Sequence, residues 1–237
     1  MKKSLIALLG TIGLSLAVTA KAQTADDVIN KHIDAIGGKD KISQIQTIVI
    51  DGSMQIMGGN SPYHTSIVNG KGYKNEMDFN GSKIIQCVTD KGGWGINPMM
   101  GGSEPAPMPD EEYASQKDNM NIGGPLFDYA AKGSKVELLA NEKLGDVDAY
   151  KIKLTNASGA EYTFYIDPNT YYLLKVIRAS TAGELSIVYS DYRKTDFGTF
   201  YAFASEITVP QGFTLNTTID KIVINSQVDP EIFTMGK

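Results

Sequence analysis

The chain has 237 residues, 42% hydrophobic and 21% charged, with 22 Lys and Arg against 27 Asp and Glu and a formal net charge of −5. Only Arg178 and Arg193 are arginines, so the clustered basic face that a phosphate backbone demands is missing and nucleic acid is excluded as a partner. Cys87 is the one cysteine, which rules out an intramolecular disulfide; a chain of this length buries roughly 70% of its unfolded surface and needs no covalent staple.

Residues 1–22 read as a signal peptide. Lys2 and Lys3 precede the apolar run LIALLGTIGLSLAV, and Ala20-Lys21-Ala22 supplies a small-x-small cleavage pattern before Gln23. The run is short for a membrane span, and no cysteine follows it to carry a lipid anchor. Export is therefore expected. The leader takes three lysines and no acid with it, so the mature chain is more acidic than the whole. Residues 23–237 show no repeat and no low-complexity linker, and one domain is expected.

Thr24-Ala25-Asp26-Asp27 has the pattern of a helix start, a hydroxyl followed by acids in the first turn. Val28, Ile29, His32, Ile33 and Ile36 then form one helical stripe, which Gly37-Gly38 ends. From Thr47 the period becomes two. Ile48, Ile50, Met54 and Ile56 alternate with polar neighbours, and Tyr73, Met77 and Phe79 repeat the pattern against Lys74, Glu76 and Asp78. Further strands are predicted at 63–69, 83–90, 135–140, 147–155, 161–166, 171–179, 185–192, 200–209 and 213–225. Turn signals such as Asn69-Gly70, Asn80-Gly81, Ser158-Gly159 and Ala182-Gly183 punctuate them. About eleven strands in meander order predict an α+β fold: a strongly curved antiparallel sheet, an incomplete β-barrel, with helices covering its concave face. Besides the opening helix, only 110–132 offers helical material, starting at Pro109-Asp110-Glu111-Glu112.

INPMMGGSEPAPMP, residues 96–109, interrupts this pattern. Four prolines forbid a helix or central strand, and Met99, Met100 and Met108 make the stretch apolar. Seven of the nine methionines lie between Met54 and Met120. They either fill gaps in a core or form a malleable lid over an apolar cavity.

Conventional catalytic signatures are missing. Two histidines, His32 and His64, without HxxxH or HxH spacing give no metal site. There is no GxSxG elbow, Cys87 lies among apolar neighbours as a buried hydrophobe would, and Gly92-Gly93-Trp94-Gly95 lacks the GK[ST] of a phosphate loop. No catalytic residue, metal or cofactor is assigned.

The second half, with GDVDAYKIKL (145–154), EYTFYIDPNTYYLLKV (161–176), YSDYRKTDFGTFYAFASEI (189–207) and VDPEIF (228–233), resembles the LolA-type outer-membrane lipoprotein-sorting carriers and their wider relatives. The likeness spans roughly residues 24–235. It implies an incomplete barrel covered by helices, a periplasmic location, and acyl chains of lipoproteins or lipid as ligand. Dedicated carriers of that type hold the lid with an arginine on an early strand, whereas Ile42 to Ile177 contains none.

The resulting expectation is a periplasmic carrier or chaperone, not an enzyme, that binds acyl chains for transport toward the outer membrane. Its cavity would be lined by Ile48, Ile50, Met54, Ile56, Tyr73, Met77, Phe79, Trp94, Tyr162 and Phe164, under a lid of Met99, Met100, Met108 and the helix that follows. The alternative is an envelope interaction or sensing module on the same half-barrel, binding a membrane protein at its rim or edge strand. A lipid or glycan hydrolase would need clustered ionisable groups in the cavity.

Overall fold

A computed structural model describes residues 23–56, 58–180 and 183–236; the expected leader, residues 1–22, lies outside them. Helix α1 (Ala25–Ala35) begins with the capping box foreseen above: the Asp27 N–H donates to Thr24 Oγ1 at 3.1 Å, and the Thr24 N–H donates to the Asp27 carboxylate at 3.0 Å. Val28, Ile29 and Ile33 are buried on one side of it. A short α2 (Lys39–Ser43) follows and buries Ile42.

Six strands then run in sequence order, β1 (Thr47–Ile56), β2 (Gly59–Val68), β3 (Gly72–Phe79), β4 (Ser82–Thr89), β5 (Gly92–Asn97) and β6 (Gly102–Pro107). After α3 (Asp110–Gln116) and a 3₁₀ turn at Lys117–Met120 come seven more: β7 (Lys135–Leu144), β8 (Val147–Thr155), β9 (Glu161–Ile166), β10 (Leu173–Ser180), β11 (Gly183–Lys194), β12 (Phe200–Thr208) and β13 (Thr214–Ile224). Together they form one antiparallel sheet of 13 strands in the order β6-β5-β4-β3-β2-β1-β13-β12-β11-β10-β9-β8-β7. Two meanders are thus joined back to back by the β1–β13 ladder, which pairs Ile48 with Ile224 and Gln55 with Asn216 across a bulge at Asp51/Gly52. The sheet is strongly curved and does not close.

Residues 96–109 are not an independent insert. They complete β5, make a 3₁₀ turn at Pro98–Met100 and return as β6. Pro105 and Pro107 are accommodated because β6 is an edge strand, where a missing N–H costs no ladder bond. Likewise, only the first part of 110–132 is helical. Past Met120 the chain turns irregularly while burying Ile122, Leu126 and Phe127.

Cross-strand register sorts the side chains into two faces. On the inner face α1 packs its apolar stripe, with Leu126 and Phe127, against Ile152, Leu154, Tyr162, Phe164, Ile166 and Val176 of β8–β10. Ile122 closes a second cluster with Ile45 and Ile48, flanked by Ile50, Ile67, Ile222 and Ile224. The third cluster is on the outer face. There the C-terminal segment lays Phe233 against Cys87 and Trp94, and the Trp94 Nε1–H donates to the Phe233 carbonyl at 2.9 Å. Gly72 makes this approach possible, since a Cβ there would stand 2.8 Å from the Phe233 ring.

Candidate functional site

The pairing Ile48–Ile67–Tyr73 and its neighbours two residues on place Ile48, Ile50, Met54, Ile56, Tyr73, Met77 and Phe79 on the inner face. Tyr162 and Phe164 share that face on β9 through their pairing with Leu154 and Ile152. Nine of the ten expected lining residues therefore converge on one surface, as strict alternation requires once a single residue of each strand is placed. Trp94 does not join them. It pairs with Cys87, which pairs with Lys74, and this row belongs to the outer face under the C-terminal segment. Flanked by Gly93 and Gly95, Trp94 has no side-chain alternation of its own from which a face can be read.

The helices cover this inner surface unevenly. Ile48, Tyr162 and Phe164 are fully packed beneath Ile122 or α1. Met54, Tyr73, Met77 and Phe79 are only half-buried and belong to none of the three core clusters. Their surroundings are nevertheless dry. Burial pushes the phenols of Tyr73, Tyr189 and Tyr201 up to about 12, and burial with Asp220 nearby does the same for Tyr63. All four rings keep part of their surface unsealed. These rings are crowded enough to lose much of their hydration while keeping part of their surface exposed.

The cover over the inner face has two parts of different firmness. From Lys117 to Phe127 it is core: Met120, Ile122, Leu126 and Phe127 are buried, the Met120 carbonyl accepts from the Gly70 N–H at 2.9 Å, and the Ile122 N–H donates to Asn69 Oδ1 at 3.1 Å. Asp118 accepts from Asn156 at 3.3 Å and from the Tyr162 hydroxyl at 3.4 Å. By contrast, α3 buries no residue. Tyr113 donates to the Thr89 carbonyl at 2.9 Å, and Arg178 reaches from β10 to donate to the Ser115 carbonyl while lying 5.7 Å from the Tyr162 ring centre. Arg178 escaped the sequence reading because a single charge in an apolar strand looks like an outward residue. Its register with Tyr162 puts it inside.

Of the expected lid methionines, Met108 lies on the inner side of β5, where its N–H donates to the Gly93 carbonyl at 2.8 Å. A Cβ on Gly93 would stand 2.8 Å from its sulfur. Met99, 56% exposed, projects from the β5–β6 turn, and the side chain of Met100 lies outside the described residues.

The ionisable residues gather elsewhere. On the outer face His64 Nδ1 is 2.7 Å from Asp51 and its Nε2 is 3.2 Å from Ser66 Oγ. The order of groups is that of a proton relay, but Ser66 is only 3% exposed and offers no approach to a substrate carbonyl. Beside it lies a depression of about 320 Å³ lined by Asp51, His64, Glu76, Asp78, Lys83 and Asp220, and also by Tyr63 and Met77, so it reaches residues of the inner row as well. Burial raises the Cys87 thiol to about 11, which keeps it protonated and inert. His32 is buried and its Nδ1 contacts the Tyr171 carbonyl at 2.8 Å, so that nitrogen carries the proton. Among the described residues, no group of three or more His, Cys, Asp or Glu is placed to hold a metal ion.

The chain shares this fold with a LolA superfamily protein from Nitrosomonas europaea, at a TM-score of 0.59 and 12% identity over 90% of this chain and 98% of that one. A domain assigned as an outer membrane lipoprotein-sorting protein from Vibrio parahaemolyticus gives 0.56 and 12% over 88% and 95%. A DUF1329 family protein from Desulfovibrio piger gives 0.59 and 13% over 88% and 96%. By sequence, no protein-family model and no curated protein matches the chain.

Proposed function

We propose that the protein is a periplasmic carrier that holds acyl chains of lipoproteins or lipids in the inner-face recess on their way toward the outer membrane, without catalysing a reaction. The observation that carries this reading is the row Met54, Tyr73, Met77 and Phe79, apolar, inward-facing and only half-buried. The shared fold with lipoprotein-sorting proteins supports it. Expelling water from such a surface is worth about 25 cal/mol per Å², so one acyl chain contributes several kcal/mol before the cost of immobilising it. No charged group is required for that affinity.

In this mechanism the segment 117–127 is the fixed roof and α3 the moving part. Releasing the Arg178 and Tyr113 hydrogen bonds costs little apolar contact, because α3 buries no residue. The test is uptake of a fluorescent fatty acid by delipidated mature protein, with native mass spectrometry of the freshly purified protein. Expected are a saturable signal and co-purified acyl material, with uptake cut at least tenfold by Met77→Asp, and unchanged by Val188→Asp on the outer face. If no acyl species is bound under either condition, the carrier reading fails, and a sensing module that binds a membrane protein at its edge becomes the better account of this fold.

A further inference from the structure

Every charged residue of β1–β5, together with His64, takes an outward position: Asp51, Lys74, Glu76, Asp78 and Lys83 alternate away from the inner row. The inner face of these strands is nevertheless not wholly apolar. Thr65, Asn75 and Gln86 stand directly opposite one another on β2, β3 and β4 and cross it as a single polar belt. Apolar rows bound the belt on both sides. Ile48, Ile67, Tyr73 and Val88 form one, and Tyr63, Met77 and Ile84 form the other.

A half-buried amide costs free energy unless it is hydrogen-bonded, so polar groups at inward positions call for a partner. Only one bond is made within the belt. Asn75 Nδ2 donates to Thr65 Oγ1 at 2.7 Å, which fixes the Asn75 amide while its second N–H and its Oδ1 stay unpaired. Gln86 is half-buried, and among the described residues its amide has no hydrogen-bond partner. The cover does not supply one. Lys117–Met120 packs against β3 and β4, but there Asn119 donates to Gln116 at 2.9 Å. On the β5 side Gln86 faces Gly95, which places no side chain beside it. Asn75 and Gln86 are direct cross-strand partners, roughly 5 Å apart at Cβ, so their free N–H groups can meet at one oxygen.

We propose that this belt receives the neutral carbonyl of an acyl ester or acyl amide, and so selects chains joined to a lipid or a protein through such a linkage. The inference rests on the carrier reading and specifies the part of the ligand which that reading leaves open. The two amides donate to the carbonyl oxygen, and their own oxygens accept from the N–H of an amide linkage. No inward position of β1–β5 holds a cation, so a carboxylate finds no counter-charge there. Tyr73 and Met77, two residues before and after Asn75, give the hydrocarbon an apolar surface on each side of the belt.

Competition against a fluorescent fatty acid bound to delipidated mature protein tests this. The competitors share one chain length: a monoacylglycerol with an ester, an N-acylethanolamine with an amide, and an alkylglycerol whose ether has no carbonyl. Expected is displacement by the ester, the amide or both at about one tenth of the alkylglycerol concentration, the worth of one or two neutral hydrogen bonds. Preference for the ester assigns a glycerolipid, and preference for the amide an N-acylated protein terminus. Gln86→Met keeps the shape and removes the amide. It should bring the carbonyl ligands to within twofold of the ether while leaving ether binding, and so the fold, intact. Gln86→Glu, which accepts but does not donate, should do the same to the ester. Equal displacement by all three in the parent protein, or a preference that survives Gln86→Met, would overturn the belt and leave the carrier reading standing. A protein that binds neither the fatty acid nor any competitor would end the carrier reading and the belt with it.

Discussion

His32 illustrates how a single residue contributes to the fold without taking part in the chemistry. It lies on the apolar stripe of α1, and burial holds its imidazole below the usual value of 6.5 despite the carbonyl of Tyr171. The unfolded chain therefore binds a proton that the folded chain resists, and stability falls as pH drops below roughly 6.5, being fully present above it. We expect the urea midpoint to decline between about pH 6.5 and pH 5. His32→Asn, which retains an N–H for Tyr171, should flatten that part of the profile; a slope unchanged in the variant would assign the loss to other groups. The packing of this residue was legible in the sequence because helical periodicity alone put it among Val28, Ile29 and Ile33. Trp94 was not legible at the same scale. Its face is fixed by Cys87 across the ladder and by Phe233 from the far end of the chain, and neither relation leaves a mark on the neighbouring residues.

At the scale of elements, alternation located most strands of both meanders and Gly92-Gly93-Trp94-Gly95 read as a bent strand, now the start of β5, but β6 was hidden by its prolines, which carry no hydrophobic period. Two elements make opposite predictions about firmness. The C-terminal segment is a clamp: Phe233 is 9% exposed, and it covers a buried thiol and the only indole. Phe233→Ala should cost about 3 kcal/mol, move the Trp94 emission to longer wavelength, and let Cys87 react with thiol reagents at neutral pH. A thiol that stays unreactive would show that the strands, not the tail, protect it. The α3 helix is a latch, held by the guanidinium of Arg178 on the Ser115 carbonyl. A hydrogen bond from a charged donor is worth about 1.5 to 3 kcal/mol, so Arg178→Ala should raise the open population and the rate of fatty-acid uptake roughly tenfold. Unchanged uptake would mean that ligand enters without moving α3.

For the whole molecule, the decisive feature is the one that local pattern cannot encode: β1 pairs with β13, and among the described residues this is the only ladder between the two meanders. Sequence order suggested a simple succession of neighbours, because hairpin turns announce themselves and a contact between residues near 48 and 224 does not. The junction is pinned by Asn225 at a φ of +58°. Its Oδ1 accepts from the Gln46 N–H at 2.7 Å, its Nδ2 donates to the Gln44 carbonyl at 3.1 Å, and its own N–H donates to the Thr47 carbonyl at 2.9 Å. Asparagine suits both demands, since it tolerates left-handed backbone and supplies the two side-chain bonds. Asn225→Gly removes those bonds but keeps the backbone relaxed, and should cost about 1 to 2 kcal/mol because the site is exposed. Asn225→Ala adds the left-handed penalty of about 1 kcal/mol. The two variants should therefore unfold in urea in the order Ala before Gly before the parent protein, with unchanged slope. Glycine proving as damaging as alanine would show that the side-chain bonds, and not the left-handed turn, fix the register that joins the halves.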